Sequence, residues 1–264
     1  MSFADQINAI QDLPTGQLTP GTFYWLHGVK QAKLPGTFYV KDAEVGDVPG
    51  APWVEDSRFD NERGYSAPVL RIAVIGWRSQ WYIQTEQGKP KQWIIGYEPG
   101  AKKHTEFLCF AEGIDDVMIL SADGANKEKP LSDIVKSYRD GLLKQASRVA
   151  KRGLPLWTFW LPIANRRTAD GKPAYTEATD ASGKSYGSIV TPPTLYLPDD
   201  AMDSCYVGEE LMRRGNDIYR EYTGWFNQKR QAAQIVDAEY TEVLALPEPS
   251  GKNVPVEVDE ADLF

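Results

Sequence analysis

The chain has 264 residues, 42% of them hydrophobic and 25% charged, and its 37 acidic against 29 basic side chains give a formal net charge of −8. This composition belongs to a globular protein long enough to bury a sizeable core, as one large domain or two small ones. No run of about 18 apolar residues exists, which excludes a transmembrane helix. The two cysteines, Cys109 and Cys205, are too few for a disulfide framework or a Cys-rich zinc site.

Met1–Asp5 lacks the basic and apolar regions of a signal peptide, so a cytoplasmic location is expected. Residues 1–66 mix Gly, Pro and short polar runs with the aromatic pieces Thr22–Leu26 and Thr37–Val40, which suit short strands. Pro68 to Gln84 is the strongest strand signal, with Val69–Ile75 as its buried half. A turn at Gln87–Pro90 and a return over Gln92–Tyr97 make residues 68–97 a long hairpin. Glu106–Cys109 and Val117–Leu120 read as further short strands.

One helix is predicted after a cap at or near Ser132. Ile134, Tyr138, Leu142, Ala146 and Val149 recur on its apolar side, Lys136, Lys144, Arg148 and Lys151 lie opposite, and Gly153 supplies the stop. Strands resume at Leu156–Leu161. Residues 165–187 form a hairpin or loop, and Ser188–Leu197 makes a last strand, bent by Pro192 and Pro193. Val207, Leu211, Ile218, Tyr222 and Trp225 mark a second amphipathic helix. The fold class read from this pattern is mainly β with one or two helices (α+β). Residues 1–230 form the body, and residues 231–264, poor in aromatics and rich in Pro and acids, form a disordered tail.

The net charge is unevenly placed. Residues 231–264 hold eight acids and one base, for −7, which leaves the body nearly neutral. Within the body, residues 58–103 carry +4 and residues 127–184 carry +6, separated by the five acids and no base of residues 104–126. Two basic stretches that met on one face would present a local positive groove, which an anionic ligand feels more than the global charge.

Common catalytic motifs are absent: there is no phosphate-binding Gly-rich loop and no Gly-x-Ser-x-Gly elbow. His27 and His104 stand alone, and neither thiol has the context of a nucleophile. Asp115-Asp116 reads first as a solvated turn. Asp199-Asp200 and Glu209-Glu210 suit helix N-termini, where the macrodipole favours acids. No cofactor, no metal and no enzymatic activity are expected.

The informative pattern is aromatic residues beside bases. Trp77, Arg78, Trp81 and Tyr82 end the long strand, Lys89 and Lys91 precede Trp93, and Lys102 and Lys103 follow. Further on, Trp160 precedes Arg166, Arg167, Tyr175 and Lys184. Rings on which bases stack, next to cations that follow phosphates, are what single-stranded nucleic acid binding requires. On a strand Trp77 and Trp81 share one face, and Arg78 and Tyr82 the other. For any one Trp core packing is the better reading, and exposed rings also serve a carbohydrate- or protein-binding module. A metal-dependent enzyme built on the acids of residues 100–126 is a third alternative.

The last eight residues hold four carboxylates and end in Leu263 and Phe264. This tip resembles those of bacterial and phage single-stranded DNA-binding proteins, and the chain is most similar in kind to those of T7-like and related tailed phages. The resemblance implies an OB-like five-stranded barrel with extra hairpins, and a role in DNA replication, recombination and repair in the host cytoplasm. It also implies that Asp259, Glu260, Asp262, Leu263 and Phe264 dock on replication proteins such as a polymerase or helicase-primase, and that the tip occupies the DNA groove when DNA is absent. No membrane partner is expected; a homodimer is compatible with the pattern.

Overall fold

In the computed structural model, residues 20–30, 33–56, 63–84, 91–94, 96–179 and 183–228 are described. Lys89 and the whole of the acidic tail, including Asp259, Glu260, Asp262, Leu263 and Phe264, lie outside them. The class is α+β, with one large mixed sheet. Its strands are β1 (Thr22–Leu26), β2 (Thr37–Lys41), β3 (Val54–Asp56), β4 (Gly64–Ala67), β5 (Val69–Ile83), β6 (Gln92–Ile94), β7 (Lys102–Ala111), β8 (Met118–Asp123) and β9 (Leu161–Asn165). A hairpin of β10 (Thr176–Thr179) and β11 (Ser185–Val190) stands apart, and β12 (Pro193–Leu195) rejoins the sheet. The order is β12-β9-β5-β7-β8-β1-β2-β4-β3, with β6 added to β5. Among the described strands, only β1 and β8 run parallel.

The expected hairpin over residues 68–97 is present as β5 and β6, but β5 has a longer partner. It pairs with β7 from Ile72 to Tyr82, through a bulge between Val74 and Gly76. The apolar run explains the first half of β5, since it is buried on both faces. Leu70, Ile72 and Val74 enter one core with Phe23, Trp25, Phe38, Cys109 and Leu120; Ala73 and Ile75 enter another with Leu108 and Phe110. A strand covered on both sides reads as continuous hydrophobicity, not as alternation.

Helices cover the two faces. α1 (Glu128–Tyr138), a five-residue π-helical turn (Arg139–Leu143) and α2 (Lys144–Ala150) are continuous and close the first core with Leu131, Ile134, Tyr138 and Leu142. α1 begins before the expected cap. Ser132 sits inside it and donates its hydroxyl to Glu128 at 2.7 Å. The extra residue of the π turn rotates the stripe that follows, so Val149, expected on the apolar side, is 73% exposed. The stop is Lys151, in the left-handed region at φ 53, not Gly153.

Leu156–Thr158 form a short 3-10 turn instead of the expected strand. Tyr138 donates to Leu156 O, and the Trp157 indole donates to Met212 O, holding this segment across two helices. α3 (Ala201–Ser204) was not legible. α4 (Glu209–Glu221) and α5 (Thr223–Gln228) match the second predicted helix and cover the second core through Ile218, Tyr222 and Phe226. Both acidic pairs stand at helix starts, as expected.

The main sheet has ten strands, not five, and its ladder does not close. Its β12 end is nonetheless tied to the segments that flank β1 and β2. Val29 bridges Val190, the Gly28 N–H donates to Thr191 Oγ1 at 2.8 Å, and the Gly36 N–H donates to Asn165 Oδ1 at 2.6 Å.

Candidate nucleic-acid interface

Beyond Trp77 and Phe107, β5 and β7 leave the apolar cores and form an arm, on which Tyr82, expected to stack on a base, is instead buried at 3% exposure. The arm's register sets aromatic residues of one strand against lysines of the other: Trp81 faces Lys103, and Tyr82 faces Lys102. β6 extends the arm, with Trp93 beside Tyr82 and Ile94 beside Trp81. The period-2 alternation holds here, so the arm has two distinct faces.

On the first face Trp77 packs against the first core. Ser79 is hydrogen-bonded to Thr105 at 2.8 Å, and the half-buried Trp81 meets Tyr97 edge-on at 5.0 Å. Tyr97 is 54% exposed. Lys103 lies 3.4 Å from the buried carboxylate of Glu128, which also accepts from Thr105 at 2.8 Å. This face therefore borders the start of α1.

The second face is a ladder of alternating charge. Arg78 stacks over Trp225 at 3.8 Å and pairs with Glu106. Glu106 lies 3.3 Å from His104 Nε2, and His104 Nδ1 lies 2.7 Å from Asp123, which accepts from Lys91 through both oxygens at 3.0 and 2.8 Å. Lys91 in turn sits over Tyr82 at 4.7 Å and Trp93 at 5.7 Å. Trp93, 46% exposed, meets His104 edge-on at 5.4 Å. Burial opposes the charge on His104, yet its bonds to Asp123 and Glu106 outweigh this and raise its pKa above the ordinary histidine value. Burial alone would raise the two acids; bonds from His104, with Arg78 on Glu106 and Lys91 on Asp123, hold each down at about 2.

Three of the five acids of residues 104–126 are thus counter-charges to bases of the first basic stretch. Glu112 neutralises Arg71, Glu106 neutralises Arg78, and Asp123 neutralises Lys91. Of the lysines and arginines expected in this stretch to follow phosphates, Lys102 has no ion pair among the described residues.

The later residues lie elsewhere. Trp160 fills space between the two cores under Arg71, whose guanidinium is 6.0 Å from its ring, and is not on the arm. Arg166 and Arg167 follow β9 and are exposed, with Arg167 donating to Gly171 O. Tyr175 and Lys184 stand at the starts of β10 and β11. Arg166 opens on a groove of about 690 Å³ between α1 and the β10–β11 hairpin, which Asn126, Lys129, Asp133, Ser137 and Glu177 also line. Asn126 fixes the hairpin there: its amide donates to Thr179 O at 2.8 Å and accepts from Thr179 N at 2.9 Å. Sequence reasoning missed Asn126, Glu106 and Asp123, and treated His104 as isolated. His104 and Glu106 are two residues apart on one strand face, a spacing the sequence does contain, but the other partners are 19 to 53 residues away and no local spacing marks them.

Among the described residues no group of three or more His, Cys, Asp or Glu could hold a metal ion. No described helix is long and apolar enough to cross a membrane. Both cysteines are buried, and burial pushes the Cys109 thiol far above the range of a reactive thiolate. Set against protein-family models, curated proteins and solved structures, the chain has no match in any of the three comparisons.

Proposed function

We propose that this chain is a non-enzymatic, sequence-tolerant single-stranded DNA-binding protein serving DNA replication, recombination and repair. The observation that carries the reading is the arm. Past the bulge one face sets Trp81 against Lys103 beside the half-exposed Tyr97, and the other sets the half-exposed Trp93 beside Lys91, with Lys102 next to the buried Tyr82. Ring faces next to ammonium groups serve any base and any phosphate, which gives binding without sequence preference.

The connectivity supports an OB-like reading of the body. β5, β7 and β8 form an antiparallel meander, α1 follows the third strand, and β9 returns to pair with β5. Such folds take oligonucleotides on the second and third strands, flanked by the loop between the first two strands and the loop between the last two. In this chain those loops correspond to residues 84–101 and 166–192, which carry the two aromatic and basic stretches. The acidic tip, from Asp259 to Phe264, is in this reading the contact for replication proteins.

Titrating the protein with oligo(dT) tests the reading. Tryptophan fluorescence should be quenched, and affinity should fall steeply with salt, with a slope of about −0.7 per neutralised phosphate. Absent or salt-insensitive binding overturns it. Removing residues 257–264 should leave DNA affinity intact or stronger while capture of replication proteins is lost.

A further inference from the structure

Asp123 contacts two basic side chains at once. Lys91 Nζ reaches both carboxylate oxygens, at 3.0 and 2.8 Å, while His104 Nδ1 lies 2.7 Å from Oδ1. The other carboxylate near His104, Glu106, is already engaged by Arg78, so it is a poor alternative partner for Lys91. The exposures differ in a useful way. The His104 side chain is 9% exposed and out of reach of a ligand, whereas that of Lys91 is 30% exposed and lies over the rings of Tyr82 and Trp93. Lys91 thus sits where a stacked strand would bring its phosphates, but its charge is spent on Asp123.

We propose that the proton on His104 gates Lys91 as a phosphate ligand. When His104 is an imidazolium, it neutralises Asp123, and Lys91 is free to turn to a phosphate of the bound strand. When His104 is neutral, Asp123 keeps Lys91, and one phosphate contact is lost. The proton comes from solvent and no other bond is made or broken. This rests on the single-stranded DNA reading and adds a regulation to the same surface.

The charged groups around His104 and Asp123 come from several elements, and they include Lys127 just before α1, which is close enough to feel Asp123. From β7 itself come Glu106 and, by alternation, Lys102; β5 presents Arg78 and the Tyr82 ring; β8 presents Asp123; the β6 arm presents Lys91. Tyr24 on β1 is close enough to feel Glu106 and Asp123. Among the directly paired groups, Arg78, Lys91 and a charged His104 set three positive charges against two carboxylates, while Lys102 and Lys127 add cations in either state. With His104 neutral, Arg78 and Lys91 balance Glu106 and Asp123. The bonds that favour the imidazolium move the transition upward from the ordinary histidine range.

The test compares the salt slope of oligo(dT) binding on the acid and alkaline sides of the His104 titration, which imidazole NMR locates in the free protein. The wild type should have a slope steeper by about 0.7 on the acid side, one phosphate contact more. His104→Gln and Lys91→Ala should each remove that difference. If the difference persists in Lys91→Ala, the imidazolium acts by its own field and the gate is overturned. The NMR signals of the Lys91 side chain in the DNA-free protein give an independent readout. They should move in step with His104, and if they stay flat through its titration the gate is overturned. If oligo(dT) does not bind at either pH, the functional reading falls, while the Lys91 signals still decide the coupling.

Discussion

The side-chain amide of Asn165 stands opposite Gly36 as a strand would: it accepts from the Gly36 N–H at 2.6 Å and donates to the Gly36 carbonyl. The two residues are 129 positions apart, and both are buried. This pair, the Thr191 contacts and the backbone bridge of Val29 to Val190 join the β9–β12 side of the sheet to the segments that flank β1 and β2. There is no room for a larger residue than glycine, since a Cβ on Gly36 would lie 2.5 Å from the Trp25 ring and 2.7 Å from Asn165 Oδ1.

Asn165→Ala should therefore be among the most destabilising polar substitutions in the chain. It strands a buried N–H and a buried C=O together, at a cost of about 2–4 kcal/mol. Urea unfolding followed by far-UV circular dichroism measures it. A loss well under 1 kcal/mol would mean that the two sides of the sheet do not depend on this contact.

A second prediction concerns how α5 seats on β5. A Cβ on Gly76 would lie 2.6 Å from the Phe226 ring, so Gly76→Ala should push α5 off the bulge and cost about 1–3 kcal/mol. Adding Phe226→Leu should recover part of that loss, because the two changes share one contact. Strict additivity in the double mutant would show that the clash is relieved elsewhere.

The charge ladder predicts a maximum of stability at mildly acidic pH. Glu106 and Asp123 have pKa values lowered to about 2, so their contribution is present above their ordinary values of 4.5 and 3.8 and is lost as pH falls towards 2. His104 is raised, so its contribution is complete below 6.5 and is lost as pH climbs through its folded value. Thermal unfolding across pH should trace a dome. His104→Gln should flatten its alkaline limb, and an unchanged limb in that variant would assign the slope to other groups.

Binding variants should separate into two classes. Trp81→Ala, or Trp93→Ala, should weaken oligo(dT) binding by about 1–3 kcal/mol for each stacked base lost. Lys102→Ala should reduce the salt slope by about 0.7. Arg78→Ala should instead act mainly on stability, since Arg78 is committed to Glu106 and Trp225. Calorimetric titrations at three salt concentrations distinguish these outcomes, and a slope unaffected by Lys102→Ala removes that residue from the phosphate path.

The sequence by itself determined the β-rich class, the long strand at residues 69–83, the amphipathic helices and the alternation that divides Trp77 and Trp81 from Arg78 and Tyr82. These depend on local periodicity and backbone preference, which short windows contain. Only the tertiary structure decided which bases are available. Arg78, Lys91 and Lys103 look alike as cations in the chain, but each is claimed by an acid 25 to 32 residues away, brought to it by strand pairing or, for Glu128, by the seating of α1 on the sheet. Tertiary structure likewise moved Trp160 into the space between two cores, gave His104 two carboxylate partners and tied β9 to the segment before β2 through Asn165. The physical reason is that ion pairing and burial depend on distance in space, and strand pairing sets those distances between residues that the sequence keeps far apart.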